Sequence, residues 1–173
     1  MSDRDRLAAN LRAIREAFDA SFASTPHGER RDDLALLAIR VGSDALALRV
    51  NETQGLLKAG RIVAVPSRRP ELLGISGVRG AVIPIFSLAR LTGRSEVQSP
   101  RWIALAGDAE RIGLAFAEFE GHLRVPASAV RSAASARDPA RVASVVELDA
   151  GARPIIDVHA IVRAITGTSD RRT

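Results

Sequence analysis

A mainly β fold, made of two small barrels and flanked by short helices, is what this sequence predicts, and three observations carry the prediction. Short apolar runs rich in β-branched residues recur from residue 34 to residue 157, each closed by a glycine, proline or aspartate turn. Short strands at that spacing with turn signals between them are the mark of small barrels. The pattern also occurs twice. Residues 34–93 and 101–167 each open with an apolar strand, a glycine-containing turn and a second strand, and each ends in a proline-bearing strand (IPIF, RPII) followed by a short helix. Finally, 173 residues at 46% apolar composition suffice for one domain, or for two subdomains sharing a core.

Each element has its own argument. Over residues 2–23, Leu7, Leu11, Ile14, Phe18 and Phe22 recur three or four apart, which places them along one face of an amphipathic helix. Ser2 and Asp5 give it a start resembling a capping box. That stripe packs on the chain's own body or docks on a partner or a second copy. Residues 24–33 are a polar linker broken by Pro26 and Gly28. Residues 34–41 (LALLAIRV) are nearly all apolar, as in a strand covered on both faces, and 45–50 pair with them across a Gly42–Ser43–Asp44 turn. Alternation is lost over 51–57, and 62–65 form a short strand stopped by Pro66. Pro70 to Leu73 read as one helical turn.

The stretch 73–91 (LGISGVRGAVIPIFSLARL) then reads as strand, glycine turn, strand and short helix. Pro84 cannot donate to a ladder, which places it at an edge, a bulge or a strand end. Arg79 is held between Gly77 and Gly80 as a hydrogen-bond donor to the fold or as a surface contact. After a loop over 92–100, strands are expected at 102–106, 111–119, 123–125, 142–148 and 153–157. Residues 127–141 have no clear period. Residues 158–167 form a closing helix ended by Gly167, and 168–173 a tail.

Composition excludes several function classes. With no cysteine there is neither a disulfide framework nor a thiolate metal site. No apolar stretch reaches the roughly 20 residues of a membrane span, and the polar first residues lack a signal core, so a cytoplasmic location is expected. His27, His122 and His159 are scattered and form no metal-ligand pair. No G-x-S-x-G elbow, carboxylate pair or phosphate loop is present; Gly74, Gly77 and Gly80 precede a strand rather than a helix. No catalytic residue, cofactor or metal is therefore expected, and a binding module is. A net charge of +5, nearly all of its base arginine, leaves a small-barrel nucleic-acid binder as the alternative, against which stand 3% aromatics and no tyrosine.

The ordered motifs resemble the CheW family of bacterial chemosensory adaptors. The carriers are the hairpin over 36–50, Val65–Pro66, Gly74-Ile75-Ser76-Gly77-Val78-Arg79-Gly80, Val82-Ile83-Pro84-Ile85-Phe86-Ser87-Leu88 and Leu91-Thr92-Gly93. In the second half they are Arg111 to Phe116 and Arg153 to Val158. The family's pattern has Asn at Gly77, Asp at Ser87 and Asp at Ala117, and these departures mark a diverged member. The resemblance implies two five-stranded SH3-like barrels over a shared core (34–93 and 101–167), no enzymatic activity, and no cofactor. It implies an adaptor between the regulatory domain of a CheA-type histidine kinase and the cytoplasmic tip of methyl-accepting chemoreceptors, in an array serving flagella, surface motility or type IV pili. Receptor-facing positions carried over are Val50, Thr53, Gly74 and Arg79, with Arg101, Phe119 and His122 in the second half. Kinase contacts carried over are residues 51–58 and the strand 61–65. Phe119 is either an exposed anchor in a groove or a core residue.

Overall fold

Eleven strands in two sheets make up the body of the computed structural model, which describes residues 33–96, 99–108, 110–133, 141–148 and 151–167. The chain divides into a unit over Met1–Asp32 and a unit over Asp33–Thr173, and both sheets belong to the second. The amphipathic helix expected over 2–23, nearly all of its linker and the 168–173 tail lie outside the described residues.

The strands are β1 (Asp33–Val41), β2 (Asp44–Arg49), β3 (Gly55–Lys58), β4 (Leu72–Val78), β5 (Ala81–Ser87), β6 (Trp102–Ala106), β7 (Ile112–Phe116), β8 (Glu118–Pro126), β9 (Val130–Ser132), β10 (Val142–Leu148) and β11 (Gly151–Ile156). Helix α1 is Leu88–Leu91 and α2 is Val158–Thr166, with 3-10 turns at Val50–Glu52 and Ala127–Ala129. One sheet runs β8-β1-β2-β11-β10-β9 and the other β3-β6-β7-β5-β4.

The mainly β expectation holds, but the sheets do not follow the two halves of the chain. Strands β1 and β2 join β8 to β11, while β6 and β7 join β3 to β5. The sheets have six and five strands, and each takes strands from both halves of the chain. The crossing is made at Ala117. Residues 111–119 read as one strand, yet β7 ends at Phe116 in one sheet and β8 begins at Glu118 in the other. Ala117 is buried, so no polar turn residue marks the switch.

Burial on both faces explains the continuous apolar runs. In β1, Leu36 faces a cluster with Ala47, Val125, Val146 and Ile155, while Leu37, Ile39 and Val41 face a central cluster. In β6, Ile103 and Leu105 join Ile83, Ile85 and Ala115 in a third cluster, while Ala104 and Ala106 face the central one. Each sheet thus has its own interior, and both lean on a common core. Fully burying one such Ile or Leu contributes about 1.5–3 kcal/mol.

Two of the three strand prolines, Pro84 and Pro154, sit where a partner is missing. Pro84 lies opposite Ile75, whose N–H and C=O both bond Val63 on the far side. The nitrogen of Pro84 therefore faces β7, whose alignment begins only at Ile85. Pro154 lies opposite Val145 and precedes Ile155, the first residue aligned with β2. The absent donor breaks no ladder bond at Pro84.

Three local expectations change. Residues 55–58 form β3, although alternation is lost there. Residues 62–65 make no strand, only an isolated bridge between Val63 and Ile75. Pro70 and Glu71 make a turn, but Leu72 already belongs to β4, so no helical turn forms there.

Candidate partner-binding site

Of the seven positions singled out from sequence, the fold gathers most along the seam between the two sheets. Val50 opens the 3-10 turn that follows β2 and is half-buried against the central core. Thr53 closes that turn, its Oγ1 donating to the Val50 carbonyl at 2.9 Å and its N–H to the same oxygen at 3.1 Å. The threonine side chain is therefore committed to shaping the turn.

Phe119 is neither wholly core nor free. It is half-buried on the central cluster, with its ring 5.4 Å from Trp102 and 5.3 Å, edge-on, from exposed His122. Trp102 comes from β6 of one sheet and Phe119 from β8 of the other, so this aromatic trio spans the seam. Such ring pairs add about 0.5–1.5 kcal/mol beyond the area they bury. Leu56, on the same face of the sheet as Trp102, packs on the same core. Arg101 is exposed beside Trp102, and its backbone accepts from the Ala59 N–H at 2.9 Å and donates to Phe116 at 3.0 Å. Trp102 was missed from sequence because a lone tryptophan opening an apolar strand looks like core.

Arg79 lies at the tip of the β4–β5 hairpin. Val78 pairs with Ala81, leaving Arg79 and Gly80 as a two-residue loop with φ of 49° and 80°. Two positive φ values fit the twist of a hairpin, and the first is unusual for a non-glycine residue. The exposed guanidinium extends over Gly55, where an added Cβ would stand 3.6 Å from Nη2. Arg79 is thus delivered beside the start of β3.

Gly74 is not presented to a partner. It is buried at φ 149°, and an added Cβ would fall 2.1 Å from the Val63 carbonyl oxygen. Its role is the close approach of β4 to the segment carrying Val63.

Two polar clusters position these elements, and neither was read from sequence. Glu52 ends the 3-10 turn with a side chain only 9% exposed; Oε1 pairs with Arg49 at 3.0 Å and Oε2 accepts the Val158 N–H at 2.9 Å. Arg49 also donates to Ser144 Oγ at 2.7 Å. Asp157, the N-cap of α2, accepts the Ala160 N–H at 2.7 Å. Asp157 and His159 thus sit at a helix start rather than along a strand, with His159 Nδ1 3.8 Å from Glu52. Glu52, Asp157 and His159 form a compact trio of ligand-type groups, yet both carboxylates are spent on helix N–H groups and Arg49. That is capping of a positive helix end.

In the second cluster Glu120 pairs with Arg40 at 2.9 Å and Arg153 at 2.7 Å, and Arg153 also donates to the Leu46 carbonyl at 3.1 Å. Partial burial pushes the Glu120 carboxyl up, but hydrogen bonds and charge from Arg153 and Arg40 outweigh it and hold the pKa below the ordinary value. The cluster ties β8, which carries Phe119 and His122, to β1 and β11.

Two comparisons with known proteins agree with this geometry. A family model for the CheW-like domain matches residues 35–166. Among solved structures, the scaffolding protein TtCheW from Thermoanaerobacter tengcongensis superposes with a TM-score of 0.66 at 16% identity, covering 74% of this chain and 91% of that one. A search of curated proteins gives no match.

Proposed function

The chain belongs to the family of CheW-like domains, and on that premise we propose that it is a non-enzymatic adaptor holding a CheA-type histidine kinase against the cytoplasmic tip of methyl-accepting chemoreceptors. The observation that carries this reading is the half-buried aromatic edge at the seam, where Phe119 and Trp102 meet beside exposed His122. Aromatic anchors partly seated in a core and open on one side are what a docking helix needs. The solved protein of like fold is titled a scaffolding protein, and scaffolding is the role adopted here.

Two surfaces divide the work. The receptor tip takes the seam, with Val50, Phe119 and His122 as contacts and Arg101 and Arg79 at its ends. The kinase takes the outer face of β4 and β5. Val63 and Val82 are exposed large hydrophobics at 47% and 71%, and Val82 pairs with side-chain-free Gly77 while Val63 bridges to Ile75. An uncovered apolar patch of this kind marks an interaction surface. It also extends the kinase contacts expected at residues 61–65 onto a neighbouring strand.

The test is to titrate the purified chain separately with a kinase regulatory domain and with a receptor-tip helical bundle from the same cell. Val82→Asp is expected to lose the kinase domain and keep the receptor tip; Phe119→Ala is expected to do the reverse. If the unaltered chain binds neither partner, the adaptor reading fails. Binding that collapses with added salt would instead favour a phosphate-rich partner.

A further inference from the structure

The sheet that carries Arg79 does not close. Its end strands are β3 and β4, and between them lies a cleft of about 460 Å³. Leu56, Leu57, Val78 and Ile103 supply its apolar lining, while Lys58, Arg61 and Arg79 stand around it. No carboxylate lines the cleft, and none of the three cations has an ion-pair partner among the described residues.

The backbone of β4 is also open there. The N–H and C=O of Ile75 bond Val63, on the side away from β5. Ser76 Oγ holds the Arg61 carbonyl at 2.9 Å, which fixes where this covering segment ends. Two residues beyond Ile75, Gly77 turns its own N–H and C=O toward the same side, and there no strand pairs with it. Gly77 is exposed, and a Cβ added to it would meet nothing within 4 Å. An unpaired edge bordered by cations and floored by leucine, valine and isoleucine is a template for strand addition.

We propose that the β3–β4 cleft binds an extended acidic segment of a partner protein, which adds as a strand along β4 at Gly77. Alternate side chains of such a segment point to opposite sides. One set, apolar, would lie on Leu57, Val78 and Ile103; the other, Asp or Glu, would meet Lys58, Arg61 and Arg79. A helix cannot use the edge, because its backbone groups are already bonded. A second copy of this chain would bring the same three cations to the same place. Single-stranded nucleic acid is disfavoured because no aromatic residue lines the cleft for base stacking. The cleft borders the receptor seam at Arg79 and the expected kinase contacts at residues 56–58 and 61, but the adaptor reading assigns no ligand to the β4 edge within it, and the site goes beyond that reading there.

The probe is a fluorescent, end-capped peptide of alternating glutamate and valine, about six residues long, followed by anisotropy with the purified chain alone at about 50 mM salt. We expect saturable binding, weakened by about tenfold or more in Lys58→Glu and in Arg61→Glu. The Gly77 amide should exchange its hydrogen more slowly in the complex. Of two peptides N-methylated on alternate amides, one should lose binding and the other keep it, since only one set faces the edge. Thermal melts of the variants separate a lost site from a lost fold, and Gly77→Pro, which removes the outward N–H and fixes φ near about −65°, gives a second, charge-neutral test when its melt matches the parent's. The proposal is overturned by absent binding, by equal binding of a lysine–valine peptide, or by indifference to both N-methylation patterns. Displacement by a short oligonucleotide at lower concentration than by unlabelled peptide would assign the cleft to nucleic acid. Because neither kinase nor receptor is present, none of these results depends on the adaptor reading.

Discussion

Replacing Glu52 by alanine removes the joint that ties the Val50–Thr53 turn to α2. Oε2 is the acceptor for the Val158 N–H at 2.9 Å, inside a helix start, and the side chain is 9% exposed. A hydrogen bond to a charged acceptor contributes about 1.5–3 kcal/mol net. The charge also faces the positive end of the helix, which alone contributes about 0.3–1 kcal/mol and overlaps the first figure. Arg49 keeps Ser144 and is 22% exposed, so its loss of a partner adds little. The expected destabilisation is therefore about 2–3 kcal/mol. For a chain of this length that lowers the melting temperature by about 4–12 °C. Urea unfolding at constant slope is the assay. Glu52→Gln keeps an acceptor and loses only the charge, so it should cost about 1 kcal/mol. The alanine variant should also weaken receptor-tip binding, because Val50 loses its support. A change below about 0.5 kcal/mol for Glu52→Ala, or equal losses for both variants, would refute the argument.

The motif's glycines should separate cleanly. Gly74→Ala places a Cβ 2.1 Å from a backbone oxygen at φ 149° and should cost about 3 kcal/mol or more in urea unfolding, whereas Gly77→Ala meets nothing and should cost under about 1 kcal/mol. Arg79→Ala should weaken kinase or receptor association while leaving thermal unfolding nearly unchanged, since alanine bears the same left-handed backbone cost; ready unfolding would make Arg79 structural. Glu120 gives a pH signature. Its carboxyl is depressed in the folded state, so its contribution is complete above the unfolded pKa and is lost as pH falls through the folded one. Glu120→Gln should therefore be less stable than the parent at pH 7, with the gap closing in acid below the ordinary carboxylate range. A gap constant across that range contradicts the depressed pKa.

The strands that were legible in the sequence are those whose side chains have somewhere apolar to go on both faces. Residues 34–41 and 102–106 read plainly because β1 and β6 lie between clusters. The closing helix was legible through its apolar run and Gly167 at its end, whereas Asp157, read as the last strand residue, is its N-cap. What was lost depends on distance. No residue type announces that β7 hands the chain to the other sheet, since buried Ala117 fits either strand interior. The segment 51–57 lacks alternation because a 3-10 turn occupies its start. Residues 62–65 look like a strand, yet only Val63 finds a backbone partner.

The site divides along the same line. Arg79 could be singled out because its flanking glycines are a local signal, and Phe119 because the family resemblance carried that position over. Trp102 and Glu52 could not, because their meaning lies in partners far along the chain; the Glu52–Val158 bond joins residues 106 apart. This asymmetry bears on the departures from the family pattern. Where the pattern places Asn, this chain has Gly77, which leaves Val82 uncovered on one face and the β4 edge unshielded in the cleft. Ser87, where the pattern has Asp, still caps α1 by accepting the Arg90 N–H at 3.3 Å, and its hydroxyl donates to Glu96 at 2.8 Å. One departure therefore preserves the fold's local chemistry and the other opens two surfaces. A loss that costs the fold nothing and exposes apolar and backbone groups together is where altered partner choice is to be sought first, and Gly77→Asn tests it. Restoring the side chain should leave stability within about 0.5 kcal/mol while changing affinity for the kinase domain, the acidic peptide or both. Unchanged affinity for both would remove Gly77 from any account of partner choice.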